Sequence, residues 1–175
     1  VRWKREYKEE IGSQPLVVDD TVYVATFEGT LHALDARTGD GKWHFRREPA
    51  GKFIILGAGR PAVGKGLVYQ GFADGAVVAL DAKTGTVRWD RRVGRGDYAD
   101  IDASPQLDGD RLYVADIAHG RVVVLDRKSG EQVGTVGTEG EPAARLNLPT
   151  NLAFDRDGTL YVSDVGRFQV VKYDR

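Results

Sequence analysis

Three histidines, His32, His44 and His119, are the residues best suited to move a proton or ligate a metal. Either role needs them to converge with partners, and they fall in different repeat units or different strand types. Ordinary half-buried or surface histidines are therefore expected. Asp155-Arg-Asp-Gly158 has the opening of a calcium loop, but the bidentate glutamate required at position 12 would be Gly166, so an Asp-Gly hairpin turn is expected instead. Asp19-Asp20 also reads as a turn, because it follows the apolar run Leu16-Val17-Val18 directly. Gly57-Ala-Gly59 and Gly94-Arg-Gly96 are glycine-rich, yet neither stands between a strand and a helix, so a phosphate cradle has no helix N-terminus to use. Arg91-Arg-Val-Gly-Arg95 is explained by a solvated edge strand and turn. Cysteine is absent, which excludes disulfides, thiolate metal sites and cysteine nucleophiles. No catalytic, cofactor-binding or metal residue is assigned, no cofactor is called for, and the chain is expected not to be an enzyme.

The elements that position these residues come from a repeat. Ala33-Leu-Asp-Ala-Arg-Thr-Gly-Asp-Gly-Lys-Trp43 recurs as Ala79-Leu-Asp-Ala-Lys-Thr-Gly-Thr-Val-Arg-Trp89, an offset of 46 from Ala33 to Ala79. That is the period of a β-propeller blade. Pro15, Pro61, Pro105 and Pro149 each start a short apolar run, a turn rich in Gly or Asp, and a second strand ending in Tyr-Val or Tyr-Gln. The third strands are Leu31-His-Ala-Leu-Asp35, Val77-Val-Ala-Leu-Asp81, Val122-Val-Val-Leu-Asp126 and Val170-Val-Lys-Tyr-Asp174. Their nearly continuous apolar character suggests cover on both faces. Charged, alternating outer strands follow at Lys42-Trp-His-Phe-Arg46, Val87-Arg-Trp-Asp-Arg91 and, more weakly, Gln132-Val-Gly-Thr-Val136. The fourth unit has no outer strand after it, and Val1-Arg-Trp-Lys-Arg5 is an orphan one. Adding the first to the last closes a blade, as in propellers whose termini share one blade. No helix of any length is predicted.

The expected fold is all-β: a β-propeller of four blades, each of four antiparallel strands, in one domain, 1–175. Blade 1 spans 8–47, blade 2 spans 48–93, blade 3 spans 94–137, and blade 4 spans 138–175 with strand 1–7. The recurring Asp35, Asp81, Asp126 and Asp174 are expected to be structural, accepting hydrogen bonds from the turns after them. Asp116 and Asp164 recur after the Tyr-Val strand, where they line the central channel entrance or tie blades together; the tie is the favoured reading. The connections 48–59, 93–103 and 137–148 lie where propellers usually present their binding face.

Lys and Arg number 25 against 26 Asp and Glu, a net charge of −1 with both signs interspersed. There is no basic field for nucleic acid and no polybasic run for a membrane surface. No apolar run approaches the ~20 residues of a membrane helix. Methionine is missing even at position 1, so a processed, trimmed or artificially built chain is expected.

Residues 1 to about 103 resemble the PQQ-like (quinoprotein alcohol dehydrogenase-like) propeller repeat. Ala33, Asp35, Thr38, Gly39 and Trp43 match its tryptophan-docking pattern, as do Ala79, Asp81, Thr84, Gly85 and Trp89. Arg95-Gly-Asp-Tyr-Ala-Asp-Ile-Asp-Ala-Ser-Pro105 also looks like a blade-opening segment of the outer-membrane assembly lipoprotein of the β-barrel assembly machinery. From about residue 111, Leu112-Tyr-Val-Ala-Asp116, Arg121-Val-Val-Val-Leu-Asp126 and the run from Leu148 to Asp164 are similar to NHL repeats, and Gly134 stands where the docking pattern wants Trp. The chain so resembles a hybrid, either engineered from fragments or naturally diverged.

The resemblance implies that Trp3, Trp43 and Trp89 pack blade on blade rather than bind a quinone. Quinoprotein dehydrogenases need a full ring of blades, many carry a vicinal disulfide, and they bind Ca²⁺. Four blades from families that close with six to eight imply a homodimer forming an eight-bladed ring, with 1–7 of each chain completing the other's last blade. Three functions are open: a non-catalytic scaffold or protein-interaction module, an exported accessory of outer-membrane assembly, and an NHL-like lyase or hydrolase. Self-association is expected and a protein partner is compatible. Location is open, extracytoplasmic if the protein is natural.

Overall fold

The computed structural model describes residues 1–48, 59–94, 104–138 and 144–174. Segment 95–103, with most of the lipoprotein-like motif, lies outside them, as do Gly57 and most of the connections expected to form a binding face.

Four antiparallel sheets follow one another in chain order. Blade 1 holds β1 (Leu16–Val18), β2 (Thr21–Ala25), β3 (Thr30–Asp35) and β4 (Gly41–Arg46). Blade 2 holds β5 (Ala62–Gly64), β6 (Leu67–Gly71), β7 (Ala76–Asp81) and β8 (Val87–Arg92). Blade 3 holds β9 (Gln106–Asp108), β10 (Arg111–Asp116), β11 (Arg121–Asp126) and β12 (Gln132–Val136). Blade 4 has three strands, β13 (Pro149–Phe154), β14 (Leu160–Asp164) and β15 (Gln169–Tyr173). A 3₁₀ turn, Ile117–His119, interrupts the strands of blade 3.

Local chemistry explains the hairpins. The first two strands of blades 1, 2 and 3 are joined by two residues each, and Asp19 (φ 50°), Lys65 (φ 48°) with Gly66, and Gly109 (φ 58°) take the positive φ that such tight turns require. The third and fourth strands share a register shift one step before the repeat's Asp, at Ala33/Leu34, Ala79/Leu80 and Val124/Leu125. This bulge aims the following turn outward.

Alternation along each strand assigns its side chains to two different seams. Tyr23, Ala25, Leu31 and Ala33 of blade 1 pack with Val68, Phe72, Val78 and Leu80 of blade 2. Tyr69, Val77, Ala79 and Trp89 on blade 2's other face pack with Leu112, Val114, Val123 and Leu125 of blade 3. Ala115 and Val122 then meet Leu152, Leu160 and Val162 of blade 4, with Leu146 among them. Burying one such Val or Leu contributes about 1.5–3 kcal/mol. No blade can bury either face alone, so the core is a series of seams rather than one centre.

Residues 1–7 form no strand, and the sheet of blade 4 is not completed to four strands within the described chain.

Candidate functional site: the repeated dock and the two open ends

The conserved-looking turn of the repeat is built by its aspartate. Asp35 Oδ1 accepts the N–H groups of Arg37 and Thr38, both at 2.9 Å, and the Thr38 hydroxyl at 3.3 Å. Asp81 does the same for Lys83 and Thr84 at 3.0 Å, and Asp126 for Lys128 at 2.9 Å and Ser129 at 2.8 Å. Hydrogen bonds to the ionised form lower a carboxyl pKa. In Asp81 the Arg88 guanidinium is the largest cause and the Thr84 N–H the next, together bringing it to about 2. Asp35 and Asp126 are lowered first by the N–H groups of Thr38 and Ser129.

Each turn ends in a glycine with φ of 71–78°, and on that glycine lies a tryptophan from the preceding strand assembly. A methyl group at Gly39, Gly85 or Gly130 would stand 2.7 Å from the ring of Trp3, Trp43 or Trp89 respectively. The indole N–H of each donates to a carbonyl at 3.0 Å: Trp3 to Ala36, Trp43 to Ala82, Trp89 to Arg127. A tyrosine from the same side shares the carbonyl, Tyr23 with Ala82 at 3.4 Å and Tyr69 with Arg127 at 3.2 Å. The dock thus has three parts: a tyrosine and a tryptophan from one blade, and a carbonyl beside the next blade's glycine.

At the first blade the dock is incomplete. Trp3 meets Gly39 and Ala36 of blade 1, just as Trp43 meets blade 2 and Trp89 meets blade 3. Residues 1–7 therefore occupy the place of an outer strand whose sheet would precede blade 1. At the other end, Tyr161 holds the position of Tyr23 and Tyr69, and β15 offers an open edge. Asp174 there is exposed and faces Lys172 at 3.4 Å.

Asp116 and Asp164, read from sequence as ties between blades, are both buried hydrogen-bond acceptors. Asp116 is buried, with His119 Nδ1 and Arg121 Nε each at 2.9 Å. Asp164 is also buried; burial pushes its carboxyl up, but the N–H groups of Leu148, Asn147 and Gly166 outweigh it and the pKa falls. Asp164 so fixes the segment leading into blade 4, which itself lies over Gly120 of blade 3. Asp155 accepts the N–H groups of Asp157 and Thr159 at 3.0 Å, the geometry of a hairpin turn.

The histidines correct one expectation. His32 and His44 are cross-strand partners in blade 1, with ring centroids 6.1 Å apart, and Tyr7 tilts over His32 at 4.4 Å. Hairpin register brings them together across twelve residues of chain, which repeat spacing alone did not reveal. With Arg5, Leu34 and Lys42 they line a cavity of about 360 Å³ on the face of blade 1 turned away from blade 2. Burial, then the neighbouring His44, lowers the pKa of His32. Among the described residues no group of three or more His, Asp or Glu is placed to hold a metal.

Ionic ties between blades were not visible in the sequence. Arg47, leaving blade 1, pairs with Asp74 at 2.7 Å and with Asp90, both in blade 2, and its guanidinium lies 5.8 Å from the Phe72 ring centroid. Lys65 of blade 2 meets Asp110 of blade 3 at 3.0 Å, and Arg127 meets the same carboxylate at 2.8 Å. These residues lie in turns, at strand ends or, for Asp90, within β8, with no common spacing, so no pattern announces them.

Residues 1–117 match the family described as Outer membrane protein assembly factor BamB. No curated protein matches the sequence. BamB from Moraxella catarrhalis is 24% identical, with a TM-score of 0.71 over 99% of this chain and 54% of that one. The computationally designed Ika4 protein is 15% identical, with a TM-score of 0.69 over 96% and 92%. Quinohemoprotein alcohol dehydrogenase ADHIIG from Pseudomonas putida HK5 is 22% identical, with a TM-score of 0.68 over 91% and 29%. At these identities the likeness is one of fold, a propeller built of PQQ-like blades. The chain spans about half the length of the BamB structure. The family match carries the PQQ-like resemblance through residue 117, beyond which the likeness is one of fold, and nothing supports the NHL resemblance of the second half.

Proposed function

This chain belongs to the family of the outer membrane protein assembly factor BamB, and from that premise we propose that it is a non-catalytic propeller module that acts by binding proteins. Its first partner is a second copy of itself, the two forming a ring of eight blades. The observation that carries this reading is the divided dock: Trp3 lies on blade 1 in the place of an outer-strand residue without belonging to any of the described sheets, while the described sheet of blade 4 has the tyrosine and an open strand edge. Two copies related by a twofold axis satisfy both ends with one repeated contact. The non-catalytic reading is supported by where the carboxylates spend their lone pairs. Asp35, Asp81, Asp126, Asp155 and Asp164 accept backbone N–H groups and so hold turns.

The family description also supports a more specific role, accessory to outer-membrane protein assembly, which would place the chain outside the cytoplasm. No helix among the described residues is long and apolar enough to cross a membrane. The test of the ring is absolute mass by light scattering over a dilution series. One chain is 19.2 kDa; the ring predicts a species of twice that mass, lost when residues 1–7 are deleted. A species of one chain's mass at every concentration would overturn it.

A further inference from the structure

The internal seams follow one pattern, and the two end faces depart from it. On the outgoing face, the second-strand tyrosine pairs across the sheet with a small or branched apolar residue: Tyr23 with Ala33, Tyr69 with Ala79, Tyr113 with Val124. In blade 4 the pair is Tyr161 with Lys172. On the incoming face, Gln70 pairs with Val78, Val114 with Val123 and Val162 with Val171. In blade 1 the pair is Val24 with His32. Where every internal seam has Ala or Val, then, the open faces have an ammonium on one side and an imidazole on the other. Neither is a fully polar cap. Val24 and Leu34 beside His32 are buried, and Val170 beside Lys172 is 69% exposed, an uncovered apolar residue that a neighbouring blade would shield.

We propose that these two faces form the seam between two copies of this chain, and that His32 with Lys172 makes the seam reversible, closing near neutral pH and opening on acidification. The proposal rests on the two-copy ring above and adds its contact surface and its control. In that seam residues 1–7 of one copy would lie along the β15 edge of the other, and the Tyr161 hydroxyl, which in the single chain donates to Asp155 at 3.2 Å, would exchange that partner for the Ala36 carbonyl that Trp3 already engages, as Tyr69 and Trp89 share that of Arg127.

Protonation decides the balance for a physical reason. His32 is faced by His44 on its own sheet and by Tyr7, Arg5 and Glu9 of the N-terminal segment. Across the closed seam it meets the blade-4 face that carries Lys172, Tyr161 and Asp174. Glu9 is already engaged by the Thr26 hydroxyl at 2.7 Å and by Arg46, and Asp174 by Lys172. A neutral imidazole can be covered at modest cost; an imidazolium would be desolvated among Arg5, His44 and Lys172. Burial already disfavours the charged ring in the free chain, and cover by a second blade acts in the same direction. Dimerisation therefore expels protons, one per seam. With two seams per ring, the dissociation constant rises up to about a hundredfold per pH unit below the free-chain pKa of His32.

The experiment is sedimentation velocity on the 175-residue chain at pH 7.5 and 5.5, with far-UV circular dichroism confirming that each sample is folded. The parent dimer should be weaker at pH 5.5 than at pH 7.5, by less than the ~100-fold that two unshifted imidazoles per ring would give. H32V, which installs the internal-seam residue, should abolish that dependence and tighten the dimer at pH 5.5. K172A should tighten it at both, and Y161F should loosen it at both. A folded parent whose dissociation constant is the same at both pH values, or an H32V chain that keeps the pH dependence, overturns the proposal. If the dimer is pH-insensitive yet lost on deletion of 1–7, the ring stands and this inference fails. A chain that never dimerises removes both.

Discussion

Replacing Trp89 by Ala tests whether the dock is a packing device rather than a hydrogen-bond device. Trp89 is 6% exposed and belongs to the cluster that joins blades 2 and 3. Truncating a buried Trp to Ala costs about 3–5 kcal/mol. The Tyr69 ring, 5.9 Å away by centroid, loses an aromatic neighbour worth about 0.5–1.5 kcal/mol. The Arg127 carbonyl keeps the Tyr69 hydroxyl as donor, so no orphaned acceptor adds to the loss. A value of about 4 kcal/mol follows, a large part of the ~5–15 kcal/mol that stabilises an ordinary domain. W89F removes only the N–H and part of the ring and should cost about 1–2 kcal/mol. The companion substitution G130A costs about 1–2 kcal/mol for its left-handed φ of 71°, plus relief of a 2.7 Å approach to the Trp89 ring. In a W89A background the ring is gone and the backbone cost remains with the 2.9 Å approach to the Arg91 side chain, so the double-mutant cycle should show a coupling of about 1–3 kcal/mol. Urea unfolding followed by far-UV circular dichroism at one protein concentration measures all four corners. A W89A loss below about 1 kcal/mol, or a G130A cost unchanged by W89A, would refute the packing account.

Three further outcomes are expected. R47A should cost about 2 kcal/mol in urea unfolding, because Asp74, whose side chain is 7% exposed, would keep only the Ala76 N–H at 3.2 Å and Arg92 at 3.5 Å; a loss under about 0.5 kcal/mol, the scale of surface pairs, would show the tie to be ornamental. Asp81 has its pKa lowered from 3.8 to about 2 by Arg88 and the turn N–H groups, so the folded state holds fewer protons than the unfolded one in that interval. Its contribution is complete above pH about 4 and lost as pH falls through about 2, and melting temperature against pH should flatten there in D81N; parallel curves would refute this. Phe168 is 97% exposed at a φ of 55°, in the turn position that Gly29 and Gly120 hold in other blades. At Gly29 an added methyl would stand 2.9 Å from the Arg47 carbonyl of the outer strand, so F168G should both stabilise the turn and tighten dimerisation; weaker dimerisation by light scattering would instead make Phe168 an anchor.

The repeat unit was legible because its determinants are local. Asp35 with Thr38 and Gly39, Asp81 with Thr84 and Gly85, and Asp126 with Ser129 and Gly130 are set by bonds spanning three or four residues, so they recur at fixed spacing and can be read from the amino acids in order. The alternation of Tyr23, Tyr69, Tyr113 and Tyr161 with their neighbours is local in the same sense. What lies opposite each face is not. Trp3 is identifiable as a docking residue from its likeness to Trp43, but only the tertiary structure places it on Gly39 of blade 1. The same holds for Arg47 against Asp74 and Asp90, Lys65 against Asp110, and His32 against His44, because each pair depends on strand register or on how one blade leans on the next. Asp116 and Asp164 show the limit from the other side: recurrence marked them as structural, yet their partners in the folded chain are a histidine and an arginine in one case and three backbone N–H groups in the other. Hairpins are specified by short-range turn and strand chemistry, whereas the seams between blades are chosen by packing among residues far apart in the chain.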